Sequence, residues 1–184
     1  MNSVIEKKLS ELEVTQKDFW NISRETANFL SILIKTSKIK KALEIGTSNG
    51  YSAIWLSEAL RHTGGHLTTV EFYDKRQSLA RENIKICGLS ELVTYYCGSA
   101  LTYLSELNPD EFFDFVFIDA SKPEYLDYFN LIKPHLKTGA IIVADNVISH
   151  QKKVQPFIDA IMADFDFQTE ILPLPAGLLF SVRL

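Results

Sequence analysis

The sequence has little that would point away from an ordinary globular protein. Only two of its 184 residues are cysteines. Neither Cys87 nor Cys97 has the spacing of a metal or redox motif, so both are expected to be free thiols. Repeats and low-complexity tracts are absent. The N-terminal residues lack the apolar core and small-residue cleavage site of a secretory signal, and no segment requires a membrane. A cytoplasmic location is therefore expected.

An excess of positive charge is also missing, since the net charge is −4. Domains that bind nucleic acid usually carry a basic stripe. The short lysine groups at 35–41 and 152–153 are expected to be solvated surface instead. Nucleic acid is thus not an expected partner. Hydrophobic residues make up 46% of the chain and charged residues 23%, which is typical of a globular protein. The length fits a single domain at 1–184.

Apolar periodicity predicts an N-terminal helical part at 1–37, followed by alternating strands and helices in a core at 38–184. The first helices are expected at 4–12 and 24–34, with Ser23 as the N-cap of the second. The core is predicted to contain strands at 41–45, 66–71, 92–96, 112–119 and 140–144, and helices at 51–61, 74–87, 101–107, 125–136 and 154–165. Such alternation is typical of a parallel sheet with helices on both faces.

The C-terminal residues break this alternation. Two further strands are expected at 167–172 and 178–183, and the short segment 173–177 between them contains two prolines and a glycine. Consecutive strands with so short a connection form an antiparallel hairpin. The predicted fold class is therefore α/β, a doubly wound and mostly parallel seven-stranded sheet that ends in an antiparallel hairpin.

Gly46 and Gly50 lie where the first predicted strand gives way to a helix. Glycines allow a tight turn that brings backbone N–H groups and a helix N-terminus close to a ligand. Their Gly-x-x-x-Gly spacing differs from the Gly-x-Gly-x-x-Gly of dinucleotide sites. Glu44 lies in an otherwise apolar strand, and Glu71 ends the second strand, where nucleotide folds keep an acid for ribose hydroxyls. Together they favour a nucleotide-like ligand over a purely structural turn.

Four segments resemble the cation-dependent O-methyltransferases, the family of the catechol and caffeoyl-coenzyme A enzymes and their short bacterial relatives. These segments are Leu-Glu-Ile-Gly-x-x-x-Gly-Tyr-Ser at 43–52, Gly-Ser-Ala-Leu at 98–101, Phe-Ile-Asp-Ala-Ser-Lys at 117–122 and Val-Ala-Asp-Asn-Val at 143–147. Their order and separation make the set specific. The resemblance runs over residues 21–184. It implies the Rossmann-like fold of class I methyltransferases, with S-adenosyl-L-methionine as the methyl donor.

The resemblance also implies a set of residues that bind the donor. They are Glu44 and Ser52 at its amino-acid end, Gly46 and Thr47 in the turn, Glu71 at the ribose, Ser99, Ala100 and Phe72 at the adenine ring, and Asp119. For Phe72, packing in the core is the alternative. Phe19 and Trp20 are expected to be packed and not to face a substrate.

A divalent cation is predicted at Asp119, Asp145 and Asn146. Asp119 ends the fourth strand and the other two residues follow the fifth, and the carboxyl ends of neighbouring strands converge on the ligand crevice of a doubly wound sheet. Carboxylate and amide oxygens suit Mg²⁺, Ca²⁺ or Mn²⁺ and not zinc. The alternative is that Asp145 and Asn146 only begin a turn.

From the resemblance we expect methyl transfer to a hydroxyl of a catechol-like small molecule, with Lys122 and Asp119 as catalytic residues and Lys122 as general base. Ser121 departs from the plant pattern Asp-Ala-Asp-Lys, so the acceptor stays open. A homodimer is expected, with the N-terminal helices as its interface or as a lid. Three alternatives remain: a metal-independent methyltransferase, a nicotinamide-dependent oxidoreductase and a non-catalytic binding protein.

Overall fold

The computed structural model describes residues 2–184 and centres on one seven-stranded sheet. Met1, which the predicted domain includes, lies outside the described residues. The strands are β1 (Lys41–Ile45), β2 (His66–Glu71), β3 (Val93–Cys97), β4 (Phe113–Ile118), β5 (Leu136–Ala144), β6 (Phe167–Leu172) and β7 (Leu178–Arg183). Their order is β3-β2-β1-β4-β5-β7-β6, with β1 to β5 parallel and β7 antiparallel to both β5 and β6. The predicted fold class is confirmed.

Helices cover both faces of this sheet. They are α1 (Ser3–Val14), α2 (Gln16–Phe19), α3 (Arg24–Thr36), α4 (Tyr51–Thr63), α5 (Asp74–Ile86), α6 (Ala100–Ser105), α7 (Tyr125–Ile132) and α8 (Gln151–Ala163). Side chains alternate between the faces of a strand. Phe115 and Phe117 of β4 therefore join the apolar layer of α1, α3 and α4, while Val116 and Ile118 join that of α7 and α8. None of the helices within residues 2–184 is long and apolar enough to cross a bilayer.

Most element boundaries agree with the predicted ones within two residues, but three predictions were wrong. Helix α7 ends at Ile132, and β5 begins at Leu136, earlier than predicted. Pro134 explains both, because it has no N–H with which to continue the α-helical hydrogen bonds, and a short 3-10 turn at Lys133–His135 leads into β5 instead. Helix α8 starts at Gln151, earlier than predicted. The prediction missed its first turn because the residues there are exposed and give no apolar periodicity. The four-residue helix α2 was not predicted at all.

The N-terminal helices are anchored to α4 by a small polar network. The Ser23 side chain accepts a hydrogen bond from the Thr26 N–H at 3.0 Å, which confirms the predicted N-cap of α3. The Arg24 guanidinium donates to the Glu13 carboxylate at 2.8 Å, and the Tyr51 hydroxyl donates to the same oxygen at 2.8 Å. Tyr51 begins α4, so this network links α1 and α3 to the first turn after the glycines.

Candidate active site

A cavity of about 820 Å³ opens at the carboxyl ends of β1, β2 and β4. β1 lies between β2 and β4. The chain adds β2 and β3 on one side of β1 and then returns to add β4 and β5 on the other side. Open α/β sheets bind ligands at such a switch point. Backbone hydrogen bonds hold the strand ends together: the Gly46 N–H donates to the Val70 carbonyl and the Asp119 N–H to the Ile45 carbonyl, both at 2.9 Å. The crevice is therefore a fixed part of the sheet edge.

The glycine turn forms one wall of this cavity. Gly46 has φ +99°, and a β-carbon there would lie 2.1 Å from the carbonyl oxygen of Asp119. Only glycine allows the turn to approach β4 so closely. Gly50 has φ +86°, and its β-carbon would lie 3.1 Å from Ala80 on α5. The turn after β1 thus requires both glycines for steric reasons.

Glu71 holds the glycine turn in place from the end of β2. One of its carboxylate oxygens accepts from the Ser48 N–H at 2.8 Å, and the other accepts from the Tyr73 N–H at 2.9 Å. Ser48 has φ +49°, a left-handed conformation that is uncommon for serine. Glu71 is buried and lines the cavity. Each oxygen keeps a lone pair for a ligand, in addition to a structural bond that sequence reasoning missed.

Glu44 is fully buried, with 0% of its surface exposed. Thr69 donates to its Oε2 at 2.5 Å, and Thr69 is in turn 2.6 Å from the Thr47 hydroxyl. Its Oε1 has no hydrogen-bond partner. Burial raises the pKa of Glu44 to about 7, partly offset by the nearby hydroxyl groups of Ser52 and Thr69. Glu44 does not itself line the cavity, whereas Thr47 and Ser52 do. A carboxylate oxygen without a partner, directly behind the cavity wall formed by Thr47 and Ser52, fits the positively charged amino end of S-adenosylmethionine.

The residues predicted for the adenine ring follow the carboxyl ends of β2 and β3. Ser99 and Ala100 line the cavity where β3 leads into α6. Phe72 also lines it and is 64% exposed, so the alternative of core packing was wrong. Its ring meets that of Tyr73 edge to face at 5.1 Å. An exposed aromatic face at a cavity rim is suited to a planar heterocycle.

The segment at residues 19–22 lines the same cavity, which the sequence did not indicate. The Ser48 hydroxyl donates to the Phe19 carbonyl at 3.0 Å and ties this segment to the glycine turn. Trp20 is 72% exposed and has φ +55°, so the expectation that it is packed was wrong. The Arg76 guanidinium lies 5.1 Å from the centre of its ring. The N-terminal helices therefore reach the mouth of the cavity.

Asp119 and Lys122 form an ion pair on the β4 side of the cavity. The Lys122 Nζ donates to Asp119 Oδ1 at 2.6 Å and to the Tyr125 hydroxyl at 2.9 Å. Asp119 and Lys122 both line the cavity. The short connection between β4 and α7 places the lysine above the strand end, so the predicted pair is brought together.

Asp145 and Asn146 follow β5, beside Asp119. Asp145 is only 3% exposed, and its pKa is raised to about 7 by burial and then by the negative charge of Asp119. Asn146 lines the cavity with φ +65°. Two neighbouring carboxylates that repel each other, with an amide beside them, fit a divalent cation. Within residues 2–184, no three His, Cys, Asp or Glu side chains are grouped so that they could hold a metal ion, so a site here would need the Asn146 amide as its third protein ligand.

Comparison with known proteins gives consistent matches. Residues 2–168 match the family model described as O-methyltransferase. A catechol O-methyltransferase of Niastella koreensis is 38% identical over 134 residues, which are 72% of this chain and 60% of that protein. A caffeoyl-CoA O-methyltransferase of Medicago sativa is 32% identical over 78% of this chain and 61% of its own length. The matches thus span about 60% of these curated relatives.

A solved structure shows the same fold around a bound ligand. It is the O-methyltransferase from Bacillus cereus in complex with SAH, which is 28% identical to this chain. The two superpose with a TM-score of 0.87, over 100% of this chain and 92% of the other. The agreement covers the sheet, the terminal hairpin and the helices that surround the cavity.

Proposed function

The chain belongs to the O-methyltransferase family, and from this premise we propose that it is an S-adenosylmethionine-dependent O-methyltransferase. The proposed acceptor is a hydroxyl of a catechol-like small molecule, and the proposed cation is Mg²⁺, with Ca²⁺ or Mn²⁺ as substitutes. One observation carries the proposal. A single cavity places the glycine turn and Glu71 on one side and Asp119, Lys122 and Asn146 on the other.

The first side would hold the methyl donor. S-adenosylmethionine, when bound, supplies a methyl group made electrophilic by its sulfonium. The negative charge of Glu44 attracts the positively charged amino end across Thr47 and Ser52, and Glu71 accepts from ribose hydroxyls with its remaining lone pairs. Phe72, Ser99 and Ala100 bound the adenine side. Positioning of this kind accounts for much of the rate of a two-substrate transfer.

The second side would hold the acceptor. Asp119, Asp145 and Asn146 would hold a divalent cation, which would supply positive charge to orient a hydroxyl and favour its ionised form. Lys122 is the proposed general base, which in its neutral amine form would accept the hydroxyl proton at Nζ. Its bond to Asp119 keeps the amine beside the ligands.

The test is methyl transfer to a panel of catechols, followed with and without EDTA. We expect Mg²⁺-dependent turnover that chelation abolishes and that Asp145→Asn reduces by at least roughly 100-fold, because one ligand loses its charge. Asp110→Asn, which alters an exposed carboxylate outside the cavity, is the matched control and should be fully active. Full activity of the wild type after chelation would instead favour the metal-independent alternative.

Calorimetry separates the remaining alternatives. We expect S-adenosylhomocysteine to bind and NAD not to bind, because the turn lacks the glycine spacing of dinucleotide sites. Binding of NAD alone would favour an oxidoreductase. No binding of S-adenosylhomocysteine at millimolar concentration would favour a non-catalytic protein.

We further propose that residues 1–184 act as one methyltransferase domain in which the N-terminal helices serve as a lid. The contact between Ser48 and Phe19 and the exposed Trp20 at the mouth support the lid role. The homodimer and the cytoplasmic location stay predictions.

A further inference from the structure

Tyr125 lies at the junction of the two strand ends that carry the proposed cation ligands. Its side chain is completely buried, at the start of α7. The hydroxyl is 2.9 Å from Lys122 Nζ, 3.3 Å from the carbonyl oxygen of Ile118 and 3.2 Å from that of Asp145. One oxygen atom thus meets β4, the residue after β5, and the lysine.

The direction of these hydrogen bonds follows from the groups themselves. An ammonium group can only donate, so the tyrosine oxygen accepts from Lys122. The single phenolic proton is then shared between the carbonyls of Ile118 and Asp145. The hydroxyl thus both accepts a hydrogen bond from Lys122 and donates its proton to backbone carbonyls.

The ring of Tyr125 is held firmly as well. It meets the Phe157 ring of α8 edge to face, with centroids 5.8 Å apart and an interplanar angle of 83°. Tyr125 does not line the cavity. Any influence on a substrate must therefore pass through Lys122 and the two strand ends.

We propose that Tyr125 is a positioning residue, whose hydroxyl holds the Lys122 amine against Asp119 and ties together the strand ends that carry Asp119 and Asp145. The kinetic part of this inference rests on the proposed methyl transfer. Lys122 has a long, flexible side chain that is 15% exposed. Without the tyrosine oxygen, the Lys122 amine keeps only its hydrogen bond to Asp119 and can turn toward solvent.

Tyr125→Phe isolates the hydroxyl, because phenylalanine keeps the ring against Phe157. We expect kcat to fall by roughly 10-fold to 100-fold, as is usual when a group behind a ligand or catalytic residue is removed, while the KM of the methyl donor is unchanged. Tyr103→Phe removes a half-buried hydroxyl away from the cavity and should leave kcat unaltered. If Tyr125 acts largely through Lys122, adding Tyr125→Phe to Lys122→Ala should lower the residual rate by less than Tyr125→Phe lowers the wild-type rate.

A second measurement does not depend on turnover. In the ligand-free protein, the ammonium protons of Lys122 are expected to exchange slowly with water by NMR, and roughly 10-fold faster in Tyr125→Phe, the loss of about one hydrogen bond. Equal exchange in both proteins would overturn the inference, as would an undiminished kcat or additive losses in the double variant. Wild-type protein without methyl transfer would refute the proposed function, while the exchange experiment still decides the role of Tyr125.

Discussion

Replacing Glu44 by glutamine removes one buried negative charge and leaves the shape of the side chain almost unchanged. Burial is the main reason why the pKa of Glu44 rises from 4.5 to about 7 in the folded protein. The folded state therefore binds this proton more tightly than the unfolded chain does. The resulting contribution to stability is fully present below pH 4.5 and is lost as the pH rises through 7.

The size of the effect follows from this pKa difference. A rise from 4.5 to about 7 corresponds to about 3 kcal/mol of unfolding free energy. For a protein of this size, that is a change in Tm of roughly 6–12 °C. Glutamine keeps the hydrogen bond from Thr69, but its NH₂ group takes the place of Oε1, which has no partner. This costs about 1–3 kcal/mol of unfolding free energy at every pH. The pH dependence of the stability, and not its absolute value, therefore reports the charge of Glu44.

The assay is thermal unfolding of ligand-free wild type and Glu44→Gln between about pH 4.5 and pH 8. The wild type should lose more stability than the variant as the pH rises, while Asp145 titrates in both proteins and cancels. Glu170→Gln, at an exposed position of β6, should follow the wild-type curve. Saturating S-adenosylhomocysteine should flatten the wild-type slope, because its ammonium compensates the ionised carboxylate. Parallel curves for wild type and Glu44→Gln would refute the argument that a buried charge is present.

Two further substitutions test the walls of the cavity. Gly46→Ala should destabilise the protein by at least about 3 kcal/mol in urea unfolding, because the added methyl group collides with the Asp119 carbonyl. The control is Gly139→Ala, which is also at positive φ but in open space and should cost about 1 kcal/mol. Similar losses for both would show that the close approach to β4 is unimportant. Adding S-adenosylhomocysteine should change tryptophan emission in the wild type but not in Trp20→Phe, since Trp55 is buried. A change that persists in Trp20→Phe, with binding confirmed by calorimetry, would place the ligand away from Trp20.

How far the sequence predicts this fold depends on how local each signal is. β1, β2, β6 and β7 have the predicted bounds because apolar runs there are bounded by glycine, proline or charged residues. The boundary between α7 and β5 was wrong although Pro134 marked it, since apolar periodicity was given more weight than the proline. Helix α2 has too few residues for periodicity, and a tertiary contact holds its end, the hydrogen bond from the Ser48 hydroxyl to the Phe19 carbonyl.

The candidate site divides along the same line. Asp119, Lys122 and Asn146 lie together because parallel strands bring their carboxyl ends to one edge, so knowing the strand ends is enough to place them. Trp20 lies at the cavity on a segment that the Ser48 hydroxyl ties to the glycine turn through the Phe19 carbonyl, and no local pattern predicts a contact between residues so far apart in the chain. Tyr125 is an intermediate case. The sequence shows that it follows Lys122 closely. Its hydroxyl, however, bonds to two backbone carbonyls that only the assembled sheet brings within reach. Residues at the strand ends are thus the ones that a sequence reveals, while residues brought there by contacts between distant parts of the chain emerge only from the packed structure.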